Sequence, residues 1–231
     1  MAGRLQLDRD ALLERARDRS SELITEMSSI LQGGVLSAAG FGLIEIIRHP
    51  SEWPVRVMLW LIGMIACFII YYRVATRGPF VMSTGTAVFV AMPLLGVCEV
   101  AMFAALTLDG PGAWRYWFLA ATATALSGAI TNLLELRRLR RTDYVGGAEA
   151  AFDYLSGKLR LELLEALGLT VFTGAMGVTT WLLPTAWPHF TELMGGYLVV
   201  SLLLAAVLVP REARQHEAMV SALEADGPGE S

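Results

Sequence analysis

Histidine and cysteine are scarce in this chain of 231 residues, which contains three histidines and two cysteines. Both cysteines, Cys67 and Cys98, lie inside apolar runs, and neither belongs to a CxxC or zinc-type motif. The histidines all lie outside the long apolar runs, so no pair of them could hold a haem within a membrane. The sequence therefore predicts neither a metal site nor a cofactor.

Catalytic and nucleotide-binding motifs are also missing. The chain has no GxSxG, HExxH, P-loop or dinucleotide-binding fingerprint. An intramembrane serine protease would need a buried histidine, which the apolar runs do not contain. These absences disfavour an enzyme and leave one enzymatic hypothesis, acid catalysis by Glu99 on a lipid-soluble substrate. The net charge of -4 argues against a nucleic-acid partner.

Charged residues make up only 17% of the chain, whereas 55% is hydrophobic and the mean hydropathy is +0.51. Ordinary soluble domains carry about 25% charged residues, so this chain is too apolar for that class. A helix needs about 20 apolar residues to cross a bilayer core. Six runs come close to or exceed that length: 27–47, 54–72, 80–108, 114–136, 161–183 and 190–209. Because lipid offers the backbone no hydrogen bonds, we predict an all-α polytopic membrane protein, a bundle of six transmembrane helices.

The distribution of basic residues predicts the orientation. With a cytoplasmic N-terminus, only Arg48, Arg56 and Arg115 of the 18 Lys and Arg residues fall on the outside. Five tryptophans then lie at the outer boundary: Trp53, Trp114, Trp117, Trp181 and Trp187. We therefore expect a bacterial inner-membrane protein that contacts lipid and keeps both termini in the cytoplasm.

Three segments are predicted to lie outside the bilayer. Residues 1–26 should form a charged helix, capped by Asp8 or Asp10 and continuous or nearly so with the first span. This helix is either solvated or packed on neighbouring subunits through a weak heptad seam. The cytoplasmic loop 137–160 has a helical apolar face that should lie along the inner membrane surface. The polar tail 210–231 follows Pro210, which should end the sixth helix, and is expected to fray.

Glu99 is the most unusual residue, because it lies within the third apolar run. At 1.5 Å per residue it is about 8 Å from the middle of that run. An ionised carboxylate at this depth costs a few kcal/mol. Glu99 should therefore face the bundle interior and be protonated or paired with a donor. It is either a hydrogen-bonded interhelical contact or a site for an ion or a proton.

Glu45 lies near the outer end of the first run, three residues before Arg48, so a local ion pair is one interpretation. In an oligomer Glu45 could instead form an acidic ring that selects cations, above a hydrophobic constriction at Phe41. Asn132 and Glu135 stand at the inner end of the fourth run. Glu135 could pair locally with Arg138. Glu162 and Glu165 begin the fifth run and, together with the arginine cluster after Leu136, could form an inner vestibule.

Small residues recur every four positions in three of the runs and predict close helix contacts or, in the first run, a wall beside a narrow water path. The residues expected to pack in this way are Gly34, Ala38, Gly42, Thr124, Gly128 and Gly174.

Taken together, these patterns favour an ion or solute channel, or another transport pathway, formed by a homo-oligomer that conducts a small cation or a proton. A membrane-embedded scaffold or accessory subunit without transport of its own is the alternative. A membrane enzyme that uses an intramembrane carboxylate is the third possibility.

Overall fold

A computed structural model of the protein describes residues 8, 10–12, 14, 22–48, 50–77, 86–145, 148–182 and 189–225. All regular elements in this part of the chain are helices, as predicted. The long ones are α1 (Glu22–Arg48), α2 (Trp53–Arg77), α3 (Thr86–Ala105), α4 (Pro111–Arg138), α5 (Glu149–Leu182) and α6 (Phe190–Ala225). Short 3-10 turns, Pro50–Glu52 and Arg141–Asp143, precede α2 and follow α4.

Four of these helices contain stretches long and apolar enough to cross a bilayer: Trp53–Val74, Pro111–Arg138, Glu149–Leu182 and Phe190–Ser221. They indicate a membrane-embedded protein. A shorter apolar stretch, Pro93–Ala105, belongs to α3. The predicted spans at 27–47 and 80–108 fall on α1 and α3, which are described only in part, so the count of six stays a prediction.

Two of the helices are longer than the sequence predicted. The helix expected within the loop 137–160 and the fifth span are one continuous helix, α5. No proline or cap separates the two parts, so the backbone hydrogen bonds continue. Likewise α6 runs through Pro210 to Ala225, and the predicted helix end at Pro210 is wrong. The reason lies in ion pairs that hold Glu212, just beyond the proline, against neighbouring helices.

The start of the chain is described only in fragments. The Asp8 carboxylate accepts a hydrogen bond from the Ala11 amide at 2.8 Å, which is the predicted N-terminal cap. Leu12 is fully buried, in a cluster with Tyr144, Leu155 and Met219. Residues 15–21 lie outside the described residues, so continuity with α1 stays a prediction.

The apolar face predicted within 137–160 is buried in protein. Ala148, Leu155 and Leu159 are almost inaccessible, because Leu12 and Met219 cover them. The expectation that this face lies along the membrane surface is therefore wrong. Periodicity reveals that a helix has an apolar face, but it does not tell whether lipid or protein covers it.

The helices divide into two groups. In one group α5 packs along α4, α4 along α3, and α3 along α1. In the other, α6 packs mainly on α2, and α2 leans on α1, whereas α5 and α6 contact each other little. The two groups meet around Phe103, whose ring lies 3.2 Å from where a Cβ of Gly63 would be. A side chain at Gly63 would separate α2 from α3.

One end of the bundle, the tryptophan end, carries Trp53, Trp114 and Trp181. There the fully buried Arg56 donates to the carbonyls of Leu106 and Leu108, just beyond the C-terminus of α3. Its charge is balanced by Glu52, whose carboxylate lies 2.6 Å away.

Arg115 has a similar role for α5, since it donates to the Thr180 carbonyl at 3.2 Å and lies 4.8 Å from the centre of the Trp181 ring. Both of these arginines satisfy carbonyls at a helix C-terminus, where the helix dipole also favours a cation.

Candidate functional site

Glu99 lies on α3 and is only 1% exposed. Its Oε2 accepts a hydrogen bond from the Tyr71 hydroxyl at 3.1 Å. The Cys67 thiol, one turn earlier on α2, also lies close to this carboxyl group. The second oxygen, Oε1, is buried without a hydrogen-bond partner in the described part of the chain. The sequence thus correctly predicted a buried carboxyl group that faces the bundle interior and meets a donor.

In the part of the chain that the structure describes, the side chains that interact with Glu99 are polar, and none of them is basic. Tyr71 and Cys67 are the titratable side chains that act on it, and both are uncharged. An isolated carboxylate in a low-dielectric interior is very costly, whereas the neutral acid needs only hydrogen bonds. The geometry therefore suits a neutral carboxylic acid better than an isolated carboxylate.

A cleft separates the α2–α6 pair from the α4–α5 pair. It consists of two chambers of about 110 and 150 Å³. The chambers share the lining residues Ile70, Arg73, Thr124, Ala125 and Leu169, so they form one continuous space. Leu169 and Leu204, on opposite walls, are 39% and 44% exposed, so the cleft opens sideways at the protein surface.

The two chambers differ in polarity. The larger one is lined mainly by apolar and aromatic side chains, including Ile62, Trp117 and Tyr197. The smaller one carries Asn132, Glu135 and Glu162 next to Arg73. The cleft is therefore amphipathic along its length.

A network of ion pairs closes one end of the cleft, here called the charged end. Arg73 on α2 binds Glu165 on α5 and, at 3.0 Å, Glu212 on α6. Lys158 on α5 pairs with Glu212 at 2.8 Å and also donates to Thr76 on α2 at 3.2 Å. Arg73, Lys158 and Glu212 are largely buried, so the network ties three helices together where α5 and α6 otherwise hardly touch.

Aromatic rings close the opposite end of the cleft. The Trp114 ring on α4 lies 5.3 Å from that of Phe190 at the start of α6. Tyr197, one to two turns further along α6, contacts the rings of Trp117 at 6.4 Å and Phe118 at 5.5 Å. Ring pairs in this distance range attract each other beyond simple burial. The cleft thus lies between an aromatic closure and an ionic one.

Four residues singled out in the sequence line the smaller chamber together: Thr124, Gly128, Asn132 and Glu135. Their spacing of three and four puts them on one face of α4, as the sequence indicated. Glu99 lies outside this lining, on the α2–α3 contact.

Glu45 and Phe41 lie elsewhere, on the outward face of α1. Glu45 accepts a hydrogen bond from Arg48 at 2.5 Å, which is the local pair predicted from the spacing. Phe41 is 68% exposed. Within one subunit neither residue approaches the cleft or Glu99, so a ring of Glu45 side chains requires neighbouring subunits and stays a prediction.

The small residues predicted to pack differ in their surroundings. A Cβ on Gly42 would lie 3.3 Å from the Phe103 carbonyl, and one on Gly174 would lie 3.7 Å from Thr122. At Gly34 and Gly128, in contrast, the described residues place no atom within 4 Å of an added Cβ, apart from the local helix backbone. Ala38 packs partly buried against the core. Close helix approach within the subunit thus involves Gly42 and Gly174, and the open space at Gly128 belongs to the cleft.

Sequence reasoning missed most of the charged end. The predicted bounds place Arg73 just after the second span, Lys158 in the cytoplasmic loop 137–160 and Glu212 in the tail 210–231. For Lys158 a signal existed, because it follows Leu155 by three positions and precedes Glu162 by four. That spacing puts it on the apolar, buried face of its helix. No comparable signal marks Arg73 or Glu212.

The described residues hold no group of three or more His, Cys, Asp or Glu side chains that could bind a metal ion. The charged side chains of the site instead bind one another across helices. No protein-family model matches the chain, and neither a curated protein nor a solved structure matches it.

Proposed function

We propose that the protein is a multi-pass membrane transport protein that moves a small cation or a proton, and that it works as a homo-oligomer. One observation carries this proposal: an amphipathic cleft inside the helix bundle, closed by ion pairs at one end and by aromatic rings at the other. Charged groups within a membrane are costly and are typical of substrate and ion pathways.

The arrangement of contacts supports movement between the two helix pairs. The two closures join these pairs, whereas α5 and α6 otherwise contact each other little. Breaking the pairs of Arg73 would release α2 from α5 and α6 at the charged end. The aromatic contacts of Tyr197 could meanwhile hold the tryptophan end shut. Such rocking of one bundle against another is how many transporters expose a central site to either side.

Glu99 would couple transport to the uptake and release of a proton. Its carboxyl group is buried beside neutral donors, so it can take up or release a proton without breaking an ion pair. Glu99 lies on α3 and accepts a hydrogen bond from Tyr71 on α2, so its protonation would act on the helix that carries Arg73.

The proposed topology has six spans, with both termini in the bacterial cytoplasm. It adds α1 and α3 to the four long apolar helices, since their 27 and 20 residues suffice to cross a bilayer core. The tryptophan end is then outside and the charged end inside.

Cysteine labelling tests this orientation. In a variant without Cys67 and Cys98, a cysteine at Asp109 should react with an impermeant maleimide added to intact cells. A cysteine at Asp143 should react only after the cells are opened. The reverse pattern would overturn the orientation, and labelling of both sites from outside would overturn the number of spans.

Self-association is proposed to use the outward face of α1. This face exposes Phe41, Ile44 and Ile47, and an added Cβ at Gly34 or Gly40 would contact none of the described residues beyond the local helix backbone. Small residues of this kind let helices of different subunits approach closely.

Light scattering in mild detergent should give a mass that is a multiple of 25.1 kDa. Gly34→Leu fits within the subunit but would hold a second helix away, so we expect it to lower the mass to that of the monomer. Gly196→Leu, at a similarly open position on α6, should leave the mass unchanged. A monomeric wild type in detergent and in nanodiscs would contradict self-association.

The transport proposal itself is tested by flux into proteoliposomes, for protons and for common monovalent cations, with empty liposomes as reference. Flux no higher than in empty liposomes would favour the second candidate, a membrane-embedded scaffold or accessory subunit. The observation that favours a scaffold is the exposed apolar face of α1, which could receive a different protein. The enzyme hypothesis has less support, because Glu99 lies outside the lining of the cleft.

A further inference from the structure

The cleft is narrow and elongated. Its α2 wall extends from Ile62 to Val74, a length of about 18 Å along a helix. Pockets for compact drug-sized ligands usually measure about 300–1,000 Å³, whereas the chambers here measure about 110 and 150 Å³. An occupant of this cleft would therefore be slender rather than bulky.

The residues that line the two chambers suit two chemically different parts of such a ligand. An alkyl chain matches the larger chamber, whose walls include Ile62, Met102 and Leu208. The sideways opening between Leu169 and Leu204 would let this chain enter from the lipid without crossing water. A polar head would then lie in the smaller chamber, beside Glu135 and Glu162.

The charged residues that line the cleft determine which charge on the polar head group is favoured. Three glutamates and one arginine are the charged residues that line the cleft in the described part of the chain: Glu135, Glu162, Glu165 and Arg73. Arg73 already binds Glu165 and Glu212, so its charge is compensated. The formal charges of the four lining residues sum to about -2, and this net negative charge favours a cation over an anion.

We propose that the cleft binds a single-chain amphiphilic cation, an alkyl chain with an ammonium head, which enters sideways from the membrane. This inference rests on the proposed transport function, because it names the class of substrate that would be transported. Binding of that class can be measured whether or not transport occurs.

Decyltrimethylammonium and decyl sulfate are suitable probes, because they share the chain and differ in the charge of the head. Each is titrated into the full-length protein in nanodiscs of a zwitterionic lipid, and the heat seen with empty nanodiscs is subtracted. We expect the cation to bind saturably, about one per subunit, and decyl sulfate to bind at least about tenfold more weakly. Equal binding of the two probes, or no saturable binding of the cation, would overturn the proposal.

Two variants locate the site. Gly128→Leu would extend into the cleft, since open space surrounds this position, and should abolish binding of the cation. Gly168→Leu is the matched control, because Gly168 is exposed outside the lining and has the same open surroundings. Glu162→Gln, which removes charge and keeps volume, should weaken cation binding roughly tenfold. Wild-type affinity in both Gly128→Leu and Glu162→Gln would overturn the assignment of the site.

Binding and flux separate this inference from the transport proposal. Saturable cation binding that Gly128→Leu abolishes, without any flux in proteoliposomes, would overturn transport and leave the site standing. Flux of decyltrimethylammonium that persists in Gly128→Leu would overturn the cleft as the binding site and leave the transport proposal standing.

Discussion

Replacing Arg73 by methionine is expected to lower the free energy of unfolding by about 3–5 kcal/mol. Methionine keeps much of the length but removes the cation that binds Glu165 and Glu212. Both carboxylates are mostly buried, so they would be left close together without Arg73 in a region from which water is largely excluded. The loss would be felt across α2, α5 and α6, because this network joins all three.

Thermal unfolding in detergent, followed with a thiol-reactive dye, measures this effect, because Cys67 is buried in the folded protein. A Cys98→Ala background leaves Cys67 as the reporting thiol. Arg48→Met is the matched control, since Arg48 is 66% exposed in its pair with Glu45 and such surface pairs contribute about 0–1 kcal/mol. An Arg73→Met protein as stable as the control would contradict the role of the charged end as a closure.

Glu99→Gln is expected to reduce transport by about tenfold or more, equivalent to at least ~1.4 kcal/mol, while the protein still expresses and assembles. Glutamine keeps the shape of the side chain and can accept the Tyr71 hydrogen bond through its amide oxygen. It cannot exchange a proton or carry a negative charge. Flux into proteoliposomes across a pH range, with wild type as reference, measures the difference.

Two further variants distinguish between the possible causes of a loss of flux. Tyr71→Phe removes the hydrogen bond to Glu99 but keeps the exchangeable proton, so it should lower flux less than Glu99→Gln. Glu45→Gln should alter ion selectivity or conductance if a ring of Glu45 side chains exists, and with less damage, because Glu45 is partly exposed and pairs with Arg48. Unchanged flux in Glu99→Gln would show that Glu99 is a packing residue and not a proton site.

The sequence by itself determined those features that depend on residues close to one another along the chain. The apolar runs predicted helices because a segment in lipid must satisfy its backbone hydrogen bonds internally. The pair Glu45–Arg48 follows from a spacing of three on one helix. Asn132, Glu135 and Gly128 could be placed on one face of α4 for the same reason. Burial of Glu99 followed from its position in an apolar run, because a carboxyl group facing lipid would be too costly.

Only the tertiary structure decided which distant residues meet. Arg73 contacts Glu165 and Glu212, which are 92 and 139 positions away in the chain. No local pattern distinguishes these three from charges that face water, since the energy of the network depends on the packing of separate helices. The same holds for Tyr71, which reaches Glu99 from a different helix. The continuation of α6 past Pro210 and the cleft itself also depend on how the helix pairs pack, because a proline interrupts one hydrogen bond and neighbouring helices can offset that loss.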